Sequence, residues 1–181
     1  MARQITKELP AGVAKVGVFV NASSDEIVRI ADTVGLDVIQ LHGDEPPELL
    51  RELEGRPVMK AFRLRQPGLG EVAEYLRRCS EVGRLPDLVL VDAFAPDQYG
   101  GTGAAVDWSS LAAEHYRIGT LPLTLAGGLT PDNVAQAVKT ARPAAVDTAS
   151  GVESSPGIKD ADLVRRFVQQ ARHALSEVAP L

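Results

Sequence analysis

The sequence predicts an α/β protein of the TIM (β/α)8-barrel type, with about six of the eight βα units present in this chain. Three observations carry that reading. Apolar, strand-like runs alternate with helical patterns six times along 181 residues, and near-continuous apolar strands separated by helices form parallel sheets covered by helices. The residues that finish those runs, Asn21, His42, Arg63, Asp92, Gly127 and Ser150, are polar or glycine. In a barrel they would ring one mouth, the face where this fold keeps its chemistry. An open doubly wound sheet shares the rhythm, but a dinucleotide-binding version wants an early Gly-x-Gly-x-x-Gly turn. The chain has none.

Length and composition bound the rest. A chain of this size reads as one domain over residues 1–181 with a real core. A net charge of −5 and scattered lysines and arginines argue against a nucleic-acid or anionic-membrane surface. No apolar run approaches the roughly 18 residues of a membrane span, and no secretory leader is evident. A single cysteine, Cys79, fits a reducing cytoplasm. The three histidines stand far apart without ligand spacing, so no metal is expected.

The elements follow in order. Residues 2–9 show helical spacing at Ala2, Ile5 and Leu9 and stop before Pro10, with no N-cap ahead of them. Lys15–Val20 is the first strand. Ser23 and Glu26 offer a capping box for a helix that places Ile27, Ile30, Ala31 and Val34 on one face and ends at Gly35. Asp37–Leu41 is the second strand, and a helix through Leu49, Leu50 and Leu53 closes at Gly55. Pro57–Arg63 is the third, followed by a helix bearing Val72, Leu76 and Cys79. Asp87–Val91 leads to Asp92, and a long loop through Gly100–Gly103 runs to a helix near Asp107–Glu114. The run from Leu121 breaks at Gly127-Gly128, after which Thr130 can cap a helix with Pro131 at its first position and Asp132 against its dipole. Ala144–Asp147 is the last strand, and Val164, Phe167, Val168, Ala171 and Leu175 give the final helix an amphipathic face.

The Gly127-Gly128 and Ser150-Gly151 turns occupy the loops after the last two strands. Barrels of this type recurrently bind phosphate there, on backbone N–H groups. A closed barrel needs eight strands, so the two missing ones are expected ahead of Lys15, and the uncapped helix at Ala2 reads as a cut.

Five segments carry a family resemblance. Val16-Gly17-Val18-Phe19-Val20-Asn21, Gln40-Leu41-His42-Gly43-Asp44-Glu45, Tyr99-Gly100-Gly101-Thr102-Gly103 with Asp107-Trp108, Leu125 to Val134, and Ala149-Ser150-Gly151-Val152-Glu153 together resemble phosphoribosylanthranilate isomerase. Each is short; five in collinear order, from about Ala2 to the last helix, are specific. The resemblance implies an Amadori rearrangement of N-(5′-phosphoribosyl)anthranilate, a sugar-phosphate substrate, in tryptophan biosynthesis, with no cofactor or metal. It implies that Asp92 is the general acid that opens the furanose ring. It places His42, Arg63 and Asp147 around the substrate, and Gly127, Gly128, Ser150 and Gly151 on its phosphate. His42 can equally be a structural histidine and Arg63 a solvated one. Gly100–Gly103 would belong to a loop that closes beside Asp92.

One departure matters. In that family the general base is a cysteine ending the first strand, in a Lys-Ile-Cys-Gly type motif, and an arginine after the second strand helps hold the anthranilate. Neither motif occurs in these 181 residues. Cys79 lies on a helix and reads as a small buried hydrophobe. Two products fit: an isomerase whose first two units lie upstream of Met1, or a catalytically impaired six-strand phosphate-binding remnant or half-barrel that needs a partner chain. A relative that also accepts a histidine-pathway aminoaldose would share the pattern. Monomer and homodimer both stay open.

Overall fold

A computed structural model describes residues 2–64, 68–92 and 108–179. The expected closing loop at Gly100–Gly103 and the helix start at Asp107 lie outside the described residues. Six strands form one sheet: β1 (Val16–Phe19), β2 (Val38–Leu41), β3 (Val58–Arg63), β4 (Leu88–Asp92), β5 (Leu123–Ala126) and β6 (Ala145–Val146). Their order in the sheet is the order in the chain, with β1 and β6 at its two ends. The registered pairs β1–β2, β2–β3 and β5–β6 are parallel. A doubly wound sheet reverses its strand order at a switch point; this one never reverses, which is the winding of barrel-type α/β folds. All six sequence-derived strands are present, each starting later than expected, and β4 runs one residue further, to Asp92.

The chain divides into two compact units, Met1–Ala61 with Glu74–Val89, and Phe62–Ala73 with Leu90–Leu181. In the first, helix α2 (Ser24–Val34) starts on Ser23, whose hydroxyl accepts from the Glu26 amide at 3.3 Å, and stops at Gly35. Its Ile27 and Ala31 join Phe19, Ile39, Leu41, Leu50 and Val58 in one buried cluster. Helix α3 (Glu48–Glu52) adds Leu49 and Leu50 to that cluster, and α4 (Gly70–Val82) adds Cys79. The N-terminal helix α1 (Ala2–Lys7) buries nothing among its described residues. On β1, Phe19 is buried, whereas Val16 and Val18, and Val20 just beyond the strand, are 44%, 59% and 60% exposed. The expectation of a strand covered on both faces therefore fails for β1.

In the second unit, α5 (Trp108–Glu114), α6 (Val134–Ala141) and α7 (Ala161–Glu177) follow one another, and α6 packs on both neighbours. Asp160 caps α7 by accepting from the Asp162 and Leu163 amides. The buried line of α7 runs through Phe167, Ala171 and Ala174. Val164, Val168 and Leu175 lie some 60–100° around the helix from that line, and the two valines are exposed. The sequence reading missed a small antiparallel hairpin, β7 (Glu153–Ser155) with β8 (Ile158–Lys159). Pro156-Gly157, with Gly157 at φ 81°, is its turn.

Candidate active site

Four segments of the second unit bring the candidate residues to strand ends. Asp92 is the last residue of β4 and half-buried, and its backbone carbonyl accepts from the Leu64 amide at 3.2 Å. That bond sets the exposed Arg63, the last residue of β3, beside the end of β4. Asp147 directly follows β6, is exposed, and its amide donates to Leu125 O at 2.8 Å.

β5 is buried along its whole length and ends at Gly127 and Gly128, with φ of 91° and 62°. Those angles suit glycine and bend the chain sharply away from the strand. The turn is then locked by one side chain. Asn133 Nδ2 donates to Gly128 O at 3.0 Å, and Asn133 Oδ1 accepts from the Thr130 amide at 2.8 Å.

This corrects the expected helix start. Thr130 does not cap α6; its hydroxyl accepts from the Asp132 amide inside a turn, and the helix begins after Asn133. Asn133 Oδ1 satisfies the Thr130 amide within that turn, as Asx side chains do. Asp132 meets Arg166 of α7 at 2.7 Å instead of the helix dipole.

The loop after β6 meets this turn. Thr148 Oγ1 donates to Leu129 O at 2.7 Å, and Gly151 packs so close to the same carbonyl that no Cβ fits there. Ser150 and Gly151 form a single 3-10 turn, Ser150–Val152, so Ser150 does not finish a strand as expected; β6 has already ended at Val146. Lys159, from the hairpin, donates to Ala149 O at 2.6 Å and to Glu153 Oε1 at 2.7 Å. The Lys159 ammonium, helped by the Gly157 amide, holds the Glu153 carboxyl below its ordinary range. Gly127, Gly128, Ser150 and Gly151 thus lie in two loops joined through Leu129. Backbone amides at such a junction can bind a dianion without any charged side chain.

His42 belongs to the first unit. It follows β2, its amide donates to Phe19 O at 2.8 Å, and it is half-buried. The Gln40 amide nitrogen lies 3.1 Å from His42 Nδ1.

Asn133, Thr148 and Lys159 escaped the sequence reading. The Thr-Pro-Asp-Asn run carried an Asx-turn signal that could have found the first. Thr148 and Lys159 act through contacts between loops, which no local pattern announces. Among the described residues no helix is long and apolar enough to cross a membrane.

The family model described as N-(5′-phosphoribosyl)anthranilate (PRA) isomerase matches residues 1–170. The N-(5′-phosphoribosyl)anthranilate isomerase of Geobacter sp. (strain M21) is 47% identical over 175 residues, covering 94% of this chain and 78% of that protein. That of Rubrobacter xylanophilus is 45% identical over 175 residues, covering 94% of this chain and 79% of its own. Among solved structures, phosphoribosyl anthranilate isomerase from Thermotoga maritima superimposes with a TM-score of 0.79 at 39% identity, over 95% of this chain and 79% of that one. Another phosphoribosyl anthranilate isomerase, in complex with reduced 1-(o-carboxyphenylamino)-1-deoxyribulose 5-phosphate, gives 0.76 at 36% identity, over 95% and 78%.

Proposed function

Because this chain belongs to the N-(5′-phosphoribosyl)anthranilate isomerase family, we propose that it acts on phosphoribosylanthranilate and rearranges it to the 1-deoxyribulose phosphate. The substrate phosphate sits on the amides of Gly127, Gly128, Ser150 and Gly151. The observation that carries this reading is the Thr148–Leu129 bond of 2.7 Å, which makes the two glycine-containing loops one surface. Asp92, half-buried at the end of an apolar strand, gives its proton to the furanose ring oxygen, and the C1′–O bond opens to a Schiff base. Transfer of the C2′ proton to a general base, which in this family is a cysteine that these 181 residues lack, yields the enolamine, which tautomerises to the ketone. Asp147 takes the ribose hydroxyls, and His42 and Arg63 complete the substrate contacts.

Cys79 is not the base that removes the C2′ proton. Its side chain is fully buried on α4, and burial pushes its thiol up to about 11, the opposite of what a thiolate base needs. No other described residue is assigned that step. We assign the protein to the cytoplasm, a reading that its buried free thiol supports.

The test is turnover of phosphoribosylanthranilate by the purified chain, followed through the anthranilate fluorescence, with titration of the reduced product analogue in parallel. Turnover that inorganic phosphate inhibits competitively supports the reading; neither turnover nor analogue binding overturns it. A second reading, binding without turnover, draws on the exposed Val16, Val18 and Val20 face of β1. Tight analogue binding with no product would favour it.

A further inference from the structure

We propose that the buried Glu45–Lys60 ion pair is a positioning device for His42, holding the loop after β2 in the shape in which His42 meets substrate. The proposal rests on the reading that His42 contacts substrate. Lys60 Nζ lies 2.9 Å from Glu45 Oε2, and the two side chains are 3% and 1% exposed. Taking both charges out of water is costly, and a well-packed apolar pair would serve a core at least as well. What the ions do that hydrocarbons cannot is grip backbone. Lys60 Nζ donates to Gly43 O at 2.7 Å and stands 3.4 Å from Leu41 O. Glu45 accepts from the Gly43 amide with both oxygens, each at 3.0 Å, and from the Asn21 amide at 2.9 Å.

His42 lies between Leu41 and Gly43, so the peptide units on both sides of it are tied to the pair. The His42 amide adds a further tether, to Phe19 O. The loop also leaves no slack. A Cβ on Gly43 would run into Asn21 Oδ1 and stand 2.8 Å from Glu45 Oε1, while Asn21 Oδ1 accepts from the Asp44 amide at 2.8 Å. Besides each other and the Ala61 carbonyl of β3, which Lys60 Nζ meets at 3.1 Å, the two ions hold the backbone of two strand-end loops. Glu45 and Lys60 are positioning residues and need not touch substrate.

The experiment uses the full 181-residue chain with two readouts. One is calorimetric binding of reduced 1-(o-carboxyphenylamino)-1-deoxyribulose 5-phosphate; the other is the NMR titration midpoint of the His42 imidazole, assigned by its loss in His42→Asn. The double variant Glu45→Gln/Lys60→Met removes both charges together and keeps the core filled. It is expected to bind the analogue at least about tenfold more weakly, the scale of loss for a loosened site, and to shift the His42 midpoint. A folded double variant with unchanged affinity and an unchanged midpoint overturns the proposal. Gly43→Ala guards against a double variant that fails to fold, because it disturbs the same loop with both charges in place. It should show the same two effects, and unchanged values there overturn the proposal as well. If His42→Asn binds the analogue normally while the double variant still moves the His42 midpoint, the substrate role of His42 fails and the tether stands. Function resting on that tether is then withdrawn.

Discussion

Gly151 abuts the Leu129 carbonyl oxygen so closely that a Cβ on it would overlap that atom and stand 2.8 Å from Thr148 Oγ1. Gly151→Ala therefore has to push the loop after β6 away from the turn after β5, or break the Thr148–Leu129 bond. We expect the variant to stay folded with its melting temperature lowered by several degrees, the scale of a change of about 1–2 kcal/mol. The KM for phosphoribosylanthranilate should rise about tenfold or more while kcat changes less. Steady-state kinetics check this, and an unchanged KM would remove Gly151 from the phosphate grip.

Asp92→Asn keeps the shape of the side chain and removes its proton. As ring-opening acid, Asp92 should be worth about 10²–10⁴-fold in turnover. The affinity for the reduced product analogue should hold within about threefold, because the neutral amide fills the same space. Calorimetry and single-turnover rates separate the two effects. A large loss of affinity with turnover preserved would make Asp92 a binding group.

The legible part of this molecule is the part encoded locally. Six strands could be read because each is a short apolar run closed by a polar residue or glycine. Ser23 and Gly35 bracket α2 where their chemistry placed them. The placement of Asp92 and Gly127 at strand ends followed from those runs. The unread part depends on what meets across loops. Thr130 is not the cap of α6 because the helix begins only at Val134, after a turn that takes in Thr130 to Asn133. Val164 and Val168 read as core by amphipathic spacing, yet the line through Phe167, Ala171 and Ala174 is the one that α7 buries. Lys60 lies within β3, and its partner Glu45 is fifteen residues away on the loop after β2; no periodicity links them.

Breaking the buried pair should cost more than removing it. Glu45→Gln leaves the Lys60 ammonium without its countercharge, and such a loss costs about 3–5 kcal/mol. Urea unfolding of Glu45→Gln and of Glu45→Gln/Lys60→Met should show the double variant recovering most of that. pH gives a second handle. Burial works against ionisation of Glu45, but the Asn21 amide and the Lys60 ammonium outweigh it and hold the carboxyl below its ordinary range. A depressed carboxyl contributes stability above its unfolded pKa and loses it as pH falls through the folded value. The parent chain should therefore lose this contribution below about pH 4.5, a loss the double variant lacks.

Cys79 is fully buried, and its thiol is pushed up to about 11 by that burial. Maleimide or iodoacetamide at pH 8 should label the native chain at under about a tenth of the rate for a free thiol, and label it fully in urea. Rapid native labelling that abolished turnover would place the thiol in the chemistry after all.

His115, in the 3-10 turn His115–Ile118 that follows α5, is 6% exposed, and burial holds its imidazole below its ordinary pKa. The folded chain therefore keeps His115 neutral at pH values where the unfolded chain protonates it. The sign follows: more protons are bound by the unfolded state, so stability falls as pH falls. The contribution is fully present above about pH 6.5, the unfolded value, and drains as pH drops from there toward the folded pKa. This window lies well above the one set by Glu45. Urea midpoints measured at pH 7.5 and pH 5.5 should differ for the parent chain and differ less for His115→Gln. The subtraction isolates His115 from the other two histidines. Equal pH sensitivity in parent and variant would mean that the folded chain protonates His115 as readily as the unfolded one, and that its burial is relieved by local opening.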